Sequence, residues 1–265
     1  MRKALDGLVL RVMQSGDNDR RLLVLTGEHG KMWITAKGAR SVRSKFAPLC
    51  RIFTYANLEF YEKNGLRWLS GGSVNEDFYA LNKDLTAFSL ASYVAQVADE
   101  ITGEEAPAED VLRMTLNTLY AISKHLKPLP QIKAVYELFA ANVSGFMADL
   151  EGCSECQKSD FSDASLWLDV MNGAVVCDEC LKKREGNLPM PEVDRFSARN
   201  ILLPLDASSL EAMRYVERSP IQRIFAFGLS DERSMALFCR AAETYLLNHL
   251  ERDFETLQFY NSLKE

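Results

Sequence analysis

Cys153-Ser154-Glu155-Cys156 and Cys177-Asp178-Glu179-Cys180 are two Cys-x-x-Cys pairs with 20 residues between them. Two residues between thiolates let both sulfurs reach one ion at about 2.3 Å, and a second pair completes a tetrahedron. A single Cys-x-x-Cys is compatible with redox chemistry, but two matched pairs in a chain of cytosolic character point to zinc. The expected ligands of one Zn²⁺ are therefore Cys153, Cys156, Cys177 and Cys180. Four sulfurs leave no position open for water or substrate, so the expected role is structural, a staple for a small ribbon. Cys50 and Cys239 lie outside this set and are expected to be small buried hydrophobes. Lys182, Lys183 and Arg184 follow the last ligand and read as solvated surface rather than phosphate contacts.

The chain has 265 residues, 47% of them hydrophobic and 26% charged, enough apolar material for a core and too much for disorder. No stretch approaches the ~18 uninterrupted apolar residues of a membrane helix. The first residues lack the small-residue cleavage site of a signal peptide, so a cytoplasmic protein is expected. The net charge of −6 conceals a division. Residues 1–72 carry 13 Lys and Arg against 6 acids, or +7, and the other 193 residues carry 18 against 31, or −13. A basic front end on an acidic body suits a protein in which one domain alone meets nucleic acid.

That front end reads as strands. Leu8 to Met13 alternates, Arg21–Thr26 and Lys31–Ala36 follow across turn residues, and Cys50–Glu62 is a long aromatic and β-branched run. Asn64-Gly65 then supplies a hairpin turn into Leu66–Leu69. Five short strands in so few residues predict a small barrel, because closing the sheet removes its edges. After Gly71-Gly72 the period becomes helical, through Leu90–Ile101, Leu112–Ile122 and Val135–Phe146. Gly186–Leu205, with Pro189, Pro191 and Pro204, is expected to be a loop. Ser208 and Glu211 suggest a capping box for the next helix, which should stop before Pro220, and Ser230 an N-cap for a final long helix.

Lys37-Gly38-Ala39-Arg40-Ser41-Val42-Arg43-Ser44-Lys45-Phe46 leaves the third strand with four cations and no acid. Lys37, Arg40, Arg43 and Lys45 could follow a phosphate backbone and release counterions. Trp33, Phe53, Tyr55, Phe60, Tyr61 and Trp68 lie in neighbouring strands. Two readings stay open: a groove in which bases stack on aromatics, or a solvated loop beside core aromatics. No catalytic set accompanies them. His29, His125 and His249 are dispersed, and no phosphate loop, paired-histidine metal motif or nucleophile elbow is present. The expectation is a binding protein and not an enzyme. The rivals are an RNA-binding barrel with a zinc ribbon, acting in translation or transcription, and a zinc enzyme, which would need an open metal position.

The order of parts resembles the bacterial RecO family of DNA-repair recombination mediators. The resemblance is carried by Lys37-Gly38-Ala39-Arg40 with Ser44-Lys45, by Tyr136-Glu137-Leu138 ahead of Gly145-Phe146, and by Gly173-Ala174-Val175-Val176-Cys177. Tyr245-Leu246-Leu247-Asn248-His249-Leu250-Glu251-Arg252 completes it, and it spans nearly the whole chain.

The resemblance implies an α+β multidomain protein: an N-terminal five-stranded OB-fold barrel, then an all-α domain with an embedded four-cysteine zinc module. The corresponding expected boundaries are 1–80 for the OB-fold domain and 81–150 and 187–265 for the two parts of the helical domain. The zinc module would occupy 151–186. It also implies binding of single- and double-stranded DNA, annealing of complementary strands, and help in loading RecA onto strands coated by single-strand-binding protein. Implied partners are RecR and the acidic C-terminal tail of single-strand-binding protein, with RecA engaged indirectly and no membrane. The setting would be the bacterial cytoplasm, at the nucleoid. Lys37, Arg40 and Lys45 are the DNA contacts that the resemblance suggests. For the protein tail, Arg214, Arg218, Arg223 and Arg233 are the candidate cations, set among apolar residues such as Tyr215 and Phe225.

Overall fold

The computed structural model describes residues 2–161, 165–185, 195–197 and 200–263. They form two compact units, Met1–His125 together with Phe254–Glu265, and Leu126–Asp253.

In the first unit, β1 (Arg2–Ser15), β2 (Asp19–Thr26), β3 (Gly30–Ala36), β4 (Tyr55–Lys63) and β5 (Leu66–Glu76) close into a barrel in the order β1-β2-β3-β5-β4. β3 and β5 run parallel and the remaining pairs antiparallel, which is the OB-fold arrangement. Alternation sets what points inward. Met32, Ile34 and Ala36 of β3 join Val9, Leu22, Val24, Ala56, Leu58, Phe60 and Leu69 in the barrel core. Each such large aliphatic or aromatic side chain, fully withdrawn from water, contributes roughly 1.5–3 kcal/mol.

The strand limits differ most from the sequence reading at three places. Cys50–Thr54 is not strand: Ala47–Cys50 is a 3₁₀ turn with Pro48 in its first turn, and Phe53 is left-handed at φ 65°. Val9 explains this, because its N–H and C=O bond to the Thr54 carbonyl and the Phe53 N–H where β1 bulges. The buried Phe53 ring then meets Phe88 edge-on at 5.4 Å. β5 does not end at Leu69 but continues through the glycine pair to Glu76. At Gly72, φ is 149° and a Cβ would stand 2.4 Å from the Asn57 carbonyl oxygen, so glycine is what lets β5 stay against β4. β1 is also longer than its alternating core, starting at Arg2.

α1 (Leu85–Ile101) is capped by Asp84, whose carboxylate accepts from the Thr86 and Ala87 N–H groups at 2.8 and 3.1 Å. α2 spans Glu109–Ser123. A helix not expected from the sequence, here named α7 for its place in the chain (Glu255–Ser262), returns to this unit. Phe254 meets Tyr93 edge-on at 5.6 Å and Thr256 donates to Gln96 at 2.6 Å. Eight residues are too few to show helical periodicity.

The second unit contains α3 (Leu129–Val143), α5 (Ala207–Arg218) and α6 (Glu232–Leu250), with Pro130 in the first turn of α3. Val143, expected mid-helix, is its last residue, because Gly145 turns the chain at φ 86°. α5 stops before Pro220 as expected, but its cap is Asp206 with Ser209, not Ser208 with Glu211. Asp231, not Ser230, caps α6. In both cases a carboxylate close to the expected hydroxyl holds the helix N–H groups.

β6 (Asp149–Cys153), β7 (Leu166–Asp169), β8 (Ala174–Cys177), β9 (Arg195–Ser197) and β10 (Asn200–Leu205) make one sheet in the order β6-β8-β7-β10-β9, and α4 spans Asp178–Glu185. The expected loop over Gly186–Leu205 therefore ends in strands. Pro204 sits within β10 opposite Trp167, so the cysteine-bearing ribbon is extended by two strands rather than linked through a loop. Within that stretch, 186–194 and 198–199 lie outside the described residues. Among the described residues, no helix is long and apolar enough to cross a membrane.

Candidate nucleic-acid interface and metal centre

The loop from Lys37 to Phe46 is anchored at its base and open at its tip. The Gly38 N–H donates to Asp19 Oδ1 at 2.8 Å, and the Arg40 N–H to the Asn18 carbonyl at 3.0 Å. Gly38 has φ 65° with open space where a Cβ would be, so the backbone conformation sets the need for glycine there. Arg40 Nη1 donates to the Asp17 carbonyl at 2.8 Å. At the tip, Val42 and Arg43 are exposed.

Lys37 Nζ lies over the Trp68 ring at 4.2 Å, and Lys45 Nζ over Phe46 at 5.0 Å. Among the described residues, Lys37, Arg40, Arg43 and Lys45 make no ion pair with a carboxylate. The four cations thus share one loop, none of them in an ion pair among the described residues, with the Asp19 carboxylate at the loop's base held by the Gly38 N–H. Beside Arg40 runs a groove of about 550 Å³ that Arg11, Arg20 and Arg51 also line. These three were missed by the sequence reading, because they come from β1, β2 and the turn after Cys50 and meet only in the tertiary structure. Arg11 is paired with Asp99, and Arg20 donates to the Cys50 carbonyl at 2.9 Å. Burial pushes the Cys50 thiol up to about 11, against the opposing pull of Arg20, and the residue behaves as the small hydrophobe expected.

The aromatics divide. Phe53 and Phe60 belong to the buried interior, Trp33, Tyr55 and Trp68 are half-buried, and Tyr61 is exposed. Arg21 lies over the Trp33 ring at 4.8 Å.

In the second unit the four cysteines converge. Cys153 ends β6, Cys156 follows in a turn closed by the Gln157 N–H on the Cys153 carbonyl, Cys177 ends β8, and Cys180 sits in the first turn of α4. All four sulfurs lie within 4.8 Å of one another, with Cys156 Sγ and Cys177 Sγ 3.8 Å apart. A tetrahedron with metal–sulfur bonds of about 2.3 Å has edges of about 3.8 Å, so the set could hold a metal ion. Burial raises the Cys153 thiol, but N–H groups of Cys177, Cys156 and Glu155 directed at its sulfur outweigh that and bring it down to about 6. Burial and then the surrounding sulfurs push Cys180 up. A cation would favour the charged form of all four. Around this site Lys182 pairs with Asp178, and Arg184 lies 3.6 Å from Glu155 and 3.8 Å from Asp169, while Lys183 is exposed.

Two family models match in tandem: recombination protein O, N-terminal, over residues 1–78, and recombination protein O, C-terminal, over residues 82–258. The chain belongs to the RecO family of DNA repair proteins. Among similar proteins, the DNA repair protein RecO of Acetivibrio thermocellus is 23% identical over 257 residues, covering 97% of this chain and 95% of that one. The DNA repair protein RecO of Symbiobacterium thermophilum is 27% identical over 261 residues, covering 98% and 96%. That of Listeria welshimeri is 28% identical over 191 residues, covering 71% and 72%. The RecO resemblance, the barrel followed by a helical domain, and a cluster of four cysteines were all legible in the sequence and are all present. The RNA-binding alternative is not favoured by these matches.

The four arginines suggested for a protein tail do not share one setting. Arg214 Nε and Nη2 donate to the Leu150 and Glu151 carbonyls, each at 2.7 Å, and its remaining terminal nitrogen pairs with Glu211. Arg218 pairs with Glu151. Both line a groove of about 630 Å³ with Tyr215, Phe227 and Leu229. Arg223 and Arg233 are exposed outside that lining.

Proposed function

We propose that this RecO-family chain is a mediator of homologous recombination that binds single- and double-stranded DNA and anneals complementary strands. It would thereby help load RecA onto strands coated by single-strand-binding protein. The observation that carries this reading is the loop bearing Lys37, Arg40, Arg43 and Lys45, four cations of which none is in an ion pair among the described residues. Such a loop neutralises phosphates on two strands and lowers the repulsion opposing their approach, and pairing of complementary bases then needs no covalent step. In this reading residues 1–80 form the DNA-binding domain. Residues 81–150 and 187–265 supply the helical domain and 151–186 the zinc module, whose sheet β9 and β10 extend.

One Zn²⁺ held by Cys153, Cys156, Cys177 and Cys180 would be structural, as a closed four-sulfur set has no place for substrate. RecR and the acidic tail of single-strand-binding protein are the proposed protein partners. The groove of Tyr215, Phe227, Arg214 and Arg218 is the proposed tail site, joined by Arg223 and Arg233 at the surface. The proposed setting is the bacterial cytoplasm, at the nucleoid.

The decisive experiment is annealing of complementary strands coated with single-strand-binding protein, with and without the chain. Acceleration is expected, and an unchanged rate rejects the reading. If about four contacts carry single-strand affinity, log K should fall with log salt at a slope near −3, from about −0.7 per contact.

A further inference from the structure

Three sulfurs of the four-cysteine cluster belong to buried residues and one does not. Cys153, Cys177 and Cys180 are 0, 4 and 6% exposed, whereas Cys156 is exposed and stands in a run, 154–160, that is exposed at every residue. The turn carrying it is closed by two backbone bonds of 2.9 Å, from the Gln157 N–H to the Cys153 carbonyl and from the Cys153 N–H to the Lys158 carbonyl. A reagent arriving from solvent therefore meets Cys156 first. Cys177 Sγ lies 3.8 Å from Cys156 Sγ. A disulfide bond is about 2.05 Å long, so closing this gap takes a shift of about 1.8 Å. The exposed turn can supply that movement while Cys177, at the end of β8, keeps its place in the sheet. Cys153 is the less available neighbour, being fully buried with its sulfur accepting the Cys177 N–H at 3.4 Å.

We propose that Cys156 is a site of reversible oxidation by hydroperoxides, and that its conversion to a disulfide with Cys177 opens the metal centre. A bound metal ion keeps the sulfurs as thiolates, the nucleophilic form. The Cys156 thiolate attacks one oxygen of hydrogen peroxide, the O–O bond breaks and hydroxide leaves, giving a sulfenic acid. The Cys177 thiolate then attacks that sulfur, the S–O bond breaks and a second hydroxide leaves. The two sulfurs give up two electrons, the two peroxide oxygens take them, and two protons from solvent convert both hydroxides to water. Cys153 and Cys180 remain as thiolates, two ligands where a closed site needs four, so the ion is released. The inference rests on the four-sulfur metal reading above and assigns to one of its ligands a chemistry of its own.

The test exposes the zinc-loaded full chain to limiting hydrogen peroxide and reads zinc release with a chromogenic chelator. Free thiols are then blocked with iodoacetamide and the chain is cut with trypsin. Peptide 134–158 carries Cys153 and Cys156, and peptide 159–182 carries Cys177 and Cys180. A Cys156–Cys177 bond therefore joins two peptides, and a bond within either Cys-x-x-Cys pair joins none. Loss of about one Zn²⁺ per chain is expected. It should come with the joined peptide, its bond placed at Cys156 and Cys177 by fragmentation, and both should be reversed by dithiothreitol with added zinc. Cys156→His keeps a four-ligand set without a thiol at the exposed position and should retain its zinc through the same exposure. Zinc retained by the wild-type chain, zinc lost as fast from C156H, or a bond confined to one pair overturns the proposal. Should C156H fail to hold zinc, dimedone trapping of the sulfenic acid in the wild-type chain decides. An adduct on Cys156 supports the proposal, and adducts only on Cys153, Cys177 or Cys180 overturn it. A wild-type chain that binds no zinc before peroxide rejects the metal reading, and the presence or absence of the joined peptide still decides the oxidation site.

Discussion

Lys133 Nζ donates to both carboxylate oxygens of Glu137, one turn further along α3, at 2.8 and 2.9 Å, and neither side chain reaches solvent. A third donation, to Glu243 of α6 at 2.7 Å, uses the last ammonium proton. A buried ion pair of this kind adds little compared with well-packed apolar side chains, but removing one partner strands the other charge. Glu137→Ala should therefore destabilise the chain by about 3–5 kcal/mol, measured by urea denaturation. A loss below about 1 kcal/mol would mean that water or Glu243 already satisfies the ammonium.

The same pair carries a pH dependence. Burial alone would pull the Lys133 ammonium down, but attraction to Glu137 and Glu243 and their hydrogen bonds outweigh it and hold it above its ordinary 10.5. A pKa raised on folding gives stability that is complete below the unfolded value and is lost as pH rises through the folded one. The contribution should stay constant below about pH 10.5 and decline only above it. Melting temperatures across the alkaline range would show this, and a Lys133→Met/Glu137→Leu chain with an equally steep decline would assign the effect to other groups.

Asp206 makes its own prediction. Its carboxylate accepts from the Ser209 N–H and the Ser234 hydroxyl, each at 2.7 Å, and its N–H donates to Ser209 Oγ at 2.9 Å. Asp206→Ala should cost about 1–2 kcal/mol, whereas Ser208→Ala, at an exposed position, should stay within about 0.5 kcal/mol. Equal effects in thermal denaturation would contradict this capping assignment.

At the loop, Arg43→Glu leaves the anchoring contacts of Gly38 and Arg40 intact and should weaken single-strand and duplex binding alike. Replacing that cation should reduce the magnitude of the single-strand salt slope by about 0.7. Arg40→Glu should add to the loss. Affinity and slope unchanged in both variants would move the interface away from this loop.

For the cysteine cluster, one cobalt ion per chain with thiolate charge-transfer absorption is expected on metal exchange, and Cys180→Ser should abolish the tetrahedral spectrum. Because ligation requires thiolates, apparent affinity should fall as pH is lowered. A stoichiometry well below one, or a spectrum unaffected by the substitution, would argue against a four-sulfur site.

Local chemistry made the five barrel strands, the main helices and the four-cysteine set readable from the chain alone. Periods of two and of three to four residues persist whatever the tertiary context, and two Cys-x-x-Cys spacings leave few geometries for four sulfurs. The cationic loop was equally plain, since its residues are neighbours in sequence. Tertiary structure decided what depends on pairing between distant segments. The bulge at Val9 holds Phe53 in a left-handed turn where the chain by itself reads as strand. A partner 28 residues away sets the hydroxyl contact of the Asp206 cap, and the register pairs Arg21, Thr35, Trp68 and Tyr61 in turn around the barrel. Whether a half-buried aromatic is core or surface is fixed by which face of a strand turns inward, and that follows only once the sheet has closed.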